Sequence, residues 1–161
     1  RSAKNTRSGV FSGVIVLVLL AVPFLERSII GPQSSANTWM LATIVGSGVA
    51  LTGALLRAWA RRVLGQYFSH DVSVSSGQLV IRTGPYSWSR HPAYLGTALV
   101  LVGLVIASGS FSTAILGALS IVFTLRRIRA EEALLRTAIP GGEYENYCKS
   151  VYMIFGRRNE R

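Results

Sequence analysis

The sequence has little charge, a single cysteine, two histidines and seven acidic residues among its 161 residues. Charged residues make up 15% of the chain, against about 25% in an ordinary soluble domain, which favours a membrane protein. Because Cys148 stands alone, an intramolecular disulfide and a cysteine-rich metal site are excluded. His70 and His91 are too few for a histidine-based metal site without carboxylates, so we predict no metal.

The sequence also lacks the common catalytic signatures. It has no glycine-rich dinucleotide motif, no phosphate-binding loop and no Ser-His-Asp arrangement. The formal net charge of +10 does not indicate nucleic acid, because the basic residues flank apolar segments instead of alternating with aromatic residues. No internal repeat is present, and at this length we expect one membrane domain over residues 1–161.

The chain does have four apolar stretches without any charged residue, namely residues 9–25, 39–56, 94–107 and 111–125. The first two reach the roughly 17–25 residues that cross a bilayer. The last two are separated by a Ser-Gly-Ser link, which predicts a tight helical hairpin over residues 94–125. The first stretch has an alternative interpretation as a signal peptide, because basic residues precede it. We predict an all-α integral membrane protein with about four transmembrane helices.

The basic residues are unevenly distributed between the connections. All except Arg27 fall on one side of the membrane if the four stretches cross it in turn. Because cytoplasmic loops carry the excess of Lys and Arg, we predict an inner-membrane protein with cytoplasmic N- and C-termini. Segments 57–93 and 126–161 are then cytosolic and form the cofactor pocket. Within them, the sequence predicts an extended piece at 78–81 and a helix break at 140–142.

Polar and aromatic residues are concentrated in GPYSWSRHPAYLG, directly before the third apolar stretch. Pro92 suits the first position of a helix, so we expect His91 at the cap, where free N–H groups suit an anionic ligand group. Tyr94 lies three residues later on the same face. For Trp88 and Arg90, a membrane-interface role is the alternative, with the indole at the headgroup level and the guanidinium at a lipid phosphate.

A second candidate cluster, RRIRAEE, continues the last apolar stretch. On a helix, Arg127 lies one turn from Glu131, and Ile128 one turn from Glu132. The simpler interpretation is a set of salt bridges at the membrane boundary, each worth less than about 1 kcal/mol. Acidic residues at the end of a membrane helix nevertheless require a cationic partner.

Taken together, LVIRTGPYSWSRHPAYLG, a helical hairpin, RIRAEEALL and GGEYENY resemble the isoprenylcysteine carboxyl methyltransferase family and its prokaryotic relatives. The resemblance implies a membrane enzyme that uses S-adenosyl-L-methionine without a Rossmann fold and takes a lipophilic substrate from the bilayer. It implies that Arg127 faces the substrate. The cofactor contacts that it implies are Gln78, Leu79, Val80, Ile81, Tyr86, His91, Pro92, Ala93, Tyr94 and Glu131.

The residue types agree with such a cofactor on chemical grounds. A sulfonium cation favours aromatic or acidic neighbours, which Tyr86, Tyr94 and Glu131 can supply. An amino-acid carboxylate suits the donor-rich helix start at His91. An adenine suits the backbone edge of the extended piece at 78–81.

The acceptor is expected to be a lipophilic small molecule, a lipid or a prenylcysteine-like compound. An ionised carboxylate needs no general base, but it needs a cation such as Arg127 to orient it. A thiol or an amine would instead need proton removal, for which Glu131 or Glu132 is the candidate base.

Two other classes remain as alternatives. Membrane sterol reductases resemble the same hairpin but use a nicotinamide cofactor, and a non-catalytic membrane binding protein could keep the same scaffold. After Tyr147 the family continues with an Arg-Val-Pro-Arg-like run, whereas this chain has Ser150, Tyr152 and Met153 at those places. This departure supports the non-catalytic alternative and leaves open how the tail closes the pocket.

Overall fold

A computed structural model describes residues 21–23, 25–26, 28–29, 35–65 and 80–154. The helices of eight or more residues in this part of the chain are α1 (Ala36–Leu64), α2 (Pro92–Ser108), α3 (Phe111–Ala138) and α4 (Glu143–Ser150). Short 3-10 helices cover Gly84–Ser87 and Pro140–Gly142. The described residues form no β-strand, which confirms the all-α prediction. Most of the predicted helix 9–25, and Gln78 and Leu79, lie outside the described residues.

Helix α1 extends beyond the apolar stretch 39–56 at both ends. Ser35 begins it as the N-cap, with its hydroxyl accepting from the Thr38 N–H at 3.3 Å. At the other end, the Ala, Leu and Arg residues after Leu56 are strong helix formers, so the helix continues to Leu64. Gly65 ends it at a positive φ of 55° and donates its N–H to the Arg61 carbonyl. Eight residues of the predicted cytosolic segment 57–93 therefore belong to this helix.

Helices α2 and α3 form the predicted tight hairpin. Gly109 adopts the left-handed conformation (φ 58°, ψ 19°) that commonly ends a helix and that glycine allows without strain. Ser110 then begins α3, because its hydroxyl accepts from the Thr113 N–H at 3.2 Å. The hairpin prediction over 94–125 is confirmed, and α3 continues to Ala138 through the RRIRAEE sequence.

A carboxylate from the segment before α1 contacts the hairpin turn. Glu26 is buried and accepts hydrogen bonds from the Ser110 hydroxyl, from the Phe111 N–H at 3.3 Å and from the Ser112 N–H at 3.2 Å. These N–H groups have no partner within their own helix, and a negative charge at a helix N-terminus is favourable. Glu26 therefore fixes its own segment against the first turn of α3.

Glycines bring antiparallel α1 and α2 into close contact. A Cβ atom at Gly53 would lie 2.6 Å from the Gly96 carbonyl oxygen, and one at Gly103 would lie 2.5 Å from the Gly46 carbonyl oxygen. Only a residue without a side chain fits at these positions, as is common where membrane helices pack closely. The contact sets the spacing of the two helices up to their polar ends.

The outer surfaces of α1 and α3 are apolar. Leu41, Ile44 and Leu55 on α1, and Phe111 and Phe123 on α3, are mostly exposed. Both helices are long and apolar enough to cross a membrane, whereas α2 is a shorter apolar helix. Exposed apolar side chains of this kind suit lipid contact. The chain is a membrane protein, and the number of four transmembrane helices stays a prediction.

One end of the molecule, here called the polar end, contains the end of α1, residues 80–91, the start of α2, the end of α3 and all of α4. The chain turns between α3 and α4 at Gly141 and Gly142, with φ angles of 75° and 70°. The predicted break at 140–142 is thus confirmed. A small core of Leu135, Ile139, Tyr144, Tyr147 and Val151 fixes α4 against α3.

Candidate functional site

The start of α2 has the geometry that the sequence predicts. His91 is the N-cap residue and Pro92 the first helical residue, and no side chain caps the helix. The His91 side chain is 4% exposed. A proline at this position loses no helical hydrogen bond, and the uncapped first turn keeps the positive end of the helix dipole available.

Three side chains form the first polar cluster, here called the Glu131 cluster: Tyr94 from α2, and Arg127 and Glu131 from α3. The Tyr94 hydroxyl donates to Glu131 Oε2 at 2.7 Å and accepts from Arg127 Nε at 3.0 Å. The hydroxyl therefore lies between a carboxylate and a guanidinium that are one helical turn apart. All three side chains are half-buried, so a ligand can reach them.

A second cluster, here called the Glu132 cluster, lies beside the first and is more enclosed. Glu132 Oε1 lies 3.0 Å from His91 Nε2 and 3.3 Å from Arg90 Nη2, and Glu132 Oε2 lies 3.7 Å from Arg136 Nη2. The side chains of Arg90 and Glu132 are 12% and 11% exposed. Glu132 thus supplies the partner that His91 lacks in the local sequence, and sequence reasoning named it only as a candidate base.

Tyr147 holds the loop before α2 in place. Its hydroxyl donates to the Tyr86 carbonyl at 2.6 Å and lies 3.3 Å from the Ser89 carbonyl. Burial raises the pKa of both Tyr86 and Tyr147 well above the usual tyrosine range, so both hydroxyls remain protonated. On the other side of the Tyr147 ring, the Arg82 guanidinium stacks 5.7 Å from its centroid.

The altered tail closes over the same loop through its backbone. The Arg90 N–H donates to the Tyr152 carbonyl at 3.1 Å, and the His91 N–H donates to the Met153 carbonyl at 3.2 Å. A carbonyl is present whatever the side chain. The departure at Ser150, Tyr152 and Met153 therefore leaves these two hydrogen bonds possible, because neither needs the family's usual side chains.

The structure brings most of the predicted cofactor residues together. Tyr86 and Ala93 pack in one buried cluster, with Ile81 against it, and Val80 packs against the core of α4. Residues 80–82 are neither helix nor strand. Tyr86 is also close enough to Tyr94 and Glu131 to interact with them electrostatically.

Two buried donors at the polar end have no hydrogen-bond partner among the described residues. They are the Tyr144 hydroxyl and Arg90 Nε. Burial raises the pKa of Tyr144, so its hydroxyl also stays protonated. A buried donor without a partner is costly, which makes these atoms candidates for contact with water or a ligand. In the described ranges, no group of three or more potential metal-ligating side chains occurs.

The fold and this arrangement define a helical membrane protein whose charged side chains meet at one end of its helices. Comparison with known protein families identifies the family to which the chain belongs. The sequence profile of the isoprenylcysteine carboxyl methyltransferase family matches residues 44–137, more than half of the chain, and the protein belongs to that family. The family resemblance predicted from the motifs is confirmed.

Individual relatives cover the chain to different extents. A protein-S-isoprenylcysteine O-methyltransferase of Schizosaccharomyces pombe is 35% identical over 65% of this chain and 45% of its own length. The corresponding Saccharomyces cerevisiae protein is 41% identical over 35% of this chain and 24% of its own length. A nickel-cobalt-cadmium resistance protein of Alcaligenes xylosoxydans xylosoxydans is 28% identical over 94% of this chain and 65% of its own length.

The chain thus spans less than two thirds of the length of each of these relatives. No solved structure matches it.

Proposed function

We propose that the protein transfers a methyl group from S-adenosyl-L-methionine to the carboxylate of a lipophilic, prenylcysteine-like acceptor at the cytosolic face of the membrane. The observation that carries the proposal is the Glu131 cluster. It combines an anion, a cation and a hydroxyl within hydrogen-bonding distance, at the end of helices whose outer surfaces are apolar. The named activity of the eukaryotic relatives supports the same reaction class.

The donor set of the polar end fits this cofactor. Glu131 and the aromatic rings of Tyr86 and Tyr94 suit a sulfonium cation. The uncapped start of α2 and the unpaired donors of Arg90 and Tyr144 suit a carboxylate. The non-helical backbone of 80–82, with Gln78 and Leu79 before it, is the proposed contact for the adenine.

When bound, S-adenosyl-L-methionine supplies an electrophilic methyl group on a positively charged sulfur. Transfer of this methyl group to an ionised acceptor carboxylate would exchange the carbon–sulfur bond for a carbon–oxygen bond, giving a methyl ester and a neutral thioether. No proton moves, so the protein needs no general base for a carboxylate acceptor. Arg127 orients the carboxylate, and holding the two partners in line supplies much of the acceleration. A thiol or amine acceptor would instead need a base, and of the two candidates, Glu131 and Glu132, Glu131 is the more exposed.

The proposal places the polar end in the cytosol. The basic side chains of Arg61, Arg62 and Arg136 lie at this end of α1 and α3, as expected for the cytoplasmic side. Four membrane helices in the cell inner membrane, with both termini cytoplasmic, complete the proposed topology.

Calorimetric titration of the detergent-purified protein with S-adenosylhomocysteine tests cofactor binding. We expect micromolar affinity that is lost in Glu131→Gln and reduced in Tyr94→Phe, with no binding of a nicotinamide dinucleotide. Transfer of a labelled methyl group to N-acetyl-S-farnesylcysteine tests the reaction. Binding of the dinucleotide alone would instead support a reductase, and cofactor binding without transfer to any lipophilic carboxylate, thiol or amine would support a non-catalytic protein.

A further inference from the structure

Helix α1 places an arginine in its closest contact with α2. Arg57 follows Gly53 by one turn, and a Cβ atom at Gly96 would lie 3.0 Å from the Arg57 Cβ. Arg57 Nη1 donates to the Thr97 hydroxyl and, at 3.4 Å, to the Ala93 carbonyl. The Arg57 side chain therefore extends from α1 and contacts the first two turns of α2.

The hydrogen-bond acceptors of Arg57 are neutral. Within the described part of the chain, the three ion pairs all involve Glu132, and none involves Arg57. A cation at the end of an apolar membrane helix is costly unless an anion or water compensates it, and such residues commonly mark binding pathways. Neutral oxygens hold the Arg57 guanidinium in position, and no carboxylate of the described residues forms an ion pair with it.

Arg57 and the Glu131 cluster lie on the same face of α2. Thr97 follows Tyr94 by three residues, so both side chains point to one side of the helix. Arg57 of α1 donates a hydrogen bond to the Thr97 hydroxyl on this side, and Arg127 of α3 donates one to the Tyr94 hydroxyl. The two guanidinium groups are close enough to interact electrostatically.

This region consequently has three arginines, Arg57, Arg61 and Arg127, beside the carboxylate of Glu131. On α3, Phe123 lies one turn before Arg127 and exposes its apolar side chain. An amphipathic molecule with one negative charge and a long apolar chain matches this combination, because its charge meets the arginines while its chain remains in lipid.

We propose that Arg57 is a second carboxylate-binding residue, which acts together with Arg127 to select lipophilic acceptors that carry a negative charge. The inference rests on the proposed function and adds to it the reason for preferring a carboxylate over a thiol or an amine. Arg57 binds one oxygen of the acceptor carboxylate. Arg127 orients the same carboxylate towards the methyl donor.

The test measures equilibrium binding to the detergent-solubilised protein, without turnover. The probes are N-acetyl-S-farnesylcysteine and its carboxamide, which differ only in the negative charge. We expect the unaltered protein to bind the carboxylate more tightly, and Arg57→Gln to weaken carboxylate binding roughly ten- to a hundredfold, the scale of a hydrogen bond to a charged group. Carboxamide binding should change less than about twofold, since no charge is involved.

Three variants separate ligand binding from a structural role. Arg57→Lys retains the charge and should recover part of the preference, because lysine lacks the planar fork of arginine. Arg62→Gln removes an exposed arginine five residues further along α1 and should leave the preference intact. Thr97→Val removes the oxygen that holds Arg57 but keeps its charge, so it should lower the preference only partly.

The outcomes distinguish this inference from the proposed function. A preference for the carboxylate that disappears in Arg57→Gln supports the inference even if no methyl transfer is found, in which case only the proposed reaction fails. Equal binding of the two probes by the unaltered protein, or an unchanged preference in Arg57→Gln, overturns the inference even if methyl transfer is found. Loss of binding of both probes to the same extent would mean that Arg57 only ties α1 to α2.

Discussion

Glu131 and Glu132 are adjacent in the sequence, yet their surroundings differ in charge and in access. Glu132 is nearly buried and faces the guanidinium groups of Arg90 and Arg136 and the imidazole of His91. Glu131 is half-buried, and its hydrogen-bond partner among the described residues is the neutral hydroxyl of Tyr94. Successive residues of an α-helix point about 100° apart, so the two carboxylates face different neighbours.

This difference predicts a structural role for Glu132 and a binding role for Glu131. The carboxylate of Glu132 is already balanced by opposite charges and enclosed, so it joins α3 to the loop before α2. The carboxylate of Glu131 is accessible and has a neutral partner, so it remains available to a cationic ligand group. We therefore expect the two identical side chains to have different roles, which variants of each cluster can test.

The largest effect is expected from Glu132→Gln, which removes the counter-charge of Arg90 and the carboxylate that contacts His91. Breaking a buried ion pair by removing one partner costs about 3–5 kcal/mol in the free energy of unfolding. Denaturation of the purified protein by sodium dodecyl sulfate, followed by circular dichroism, measures this loss. Glu131→Gln is the matched control and should cost less than about 1 kcal/mol, as for a partly exposed charge. Equal losses would contradict the division of roles.

Gly96→Ala should lower stability, because α1 and α2 are in close contact at this position. Its Cβ atom would lie 2.6 Å from the Gly53 carbonyl oxygen and 2.8 Å from the Arg57 amide nitrogen, so α1 must move away from α2. Overpacking of this kind costs about 1–3 kcal/mol. The same denaturation experiment measures the loss.

Gly48→Ala serves as its control. A Cβ atom at Gly48 has nothing within 4 Å. Replacing a helical glycine by alanine at such an open position should leave stability unchanged or raise it by up to about 1 kcal/mol. A loss in Gly48→Ala as large as that in Gly96→Ala would show that the α1–α2 contact is not the cause.

Tyr94→Phe removes the hydroxyl that links Arg127 to Glu131. We expect a loss of only about 1 kcal/mol in stability, because these two residues are one helical turn apart and can then pair directly. A direct ion pair with Arg127 would offset the negative charge of Glu131. We therefore expect a larger loss in affinity for S-adenosylhomocysteine than in the free energy of unfolding. Calorimetry and denaturation of the same preparation give both quantities. A stability loss without any change in affinity would assign Tyr94 to the scaffold.

The smallest effect is expected from Arg136→Gln. The Arg136 side chain is 51% exposed and lies 3.7 Å from Glu132. A pair screened by solvent to this degree contributes about 0–1 kcal/mol. Its contribution should disappear in high salt, where the loss from Glu132→Gln persists because Arg90 and His91 are buried. If Arg136→Gln lowered the free energy of unfolding as much as Glu132→Gln, the exposed Arg136 would also be essential to the stability of the Glu132 cluster.

Much of the local structure could be predicted from the sequence. The apolar stretches, the Ser-Gly-Ser link and the Pro-Gly-Gly break each depend on residues next to one another, and the helix start at His91 depends on Pro92. The end of α1 could not be predicted as well, because this helix continues into charged sequence to Leu64, whereas the continuation of α3 through RRIRAEE was predicted. The spacing of seven residues between Gly46 and Gly53, and between Gly96 and Gly103, was a readable signal of close helix packing.

The partners at the polar end depend on the tertiary structure. His91 meets Glu132 across 41 positions and Arg57 meets Ala93 across 36. The tail contacts the loop through carbonyl groups that every residue has, so no side chain in the sequence indicates them. The sequence by itself determined that the chain is helical and apolar, with its basic residues outside the apolar stretches, because these properties follow from composition and local spacing. Only the packing of α1, α2 and α3 decided which carboxylate is enclosed, which remains accessible and which arginines meet, because those depend on how distant turns face one another.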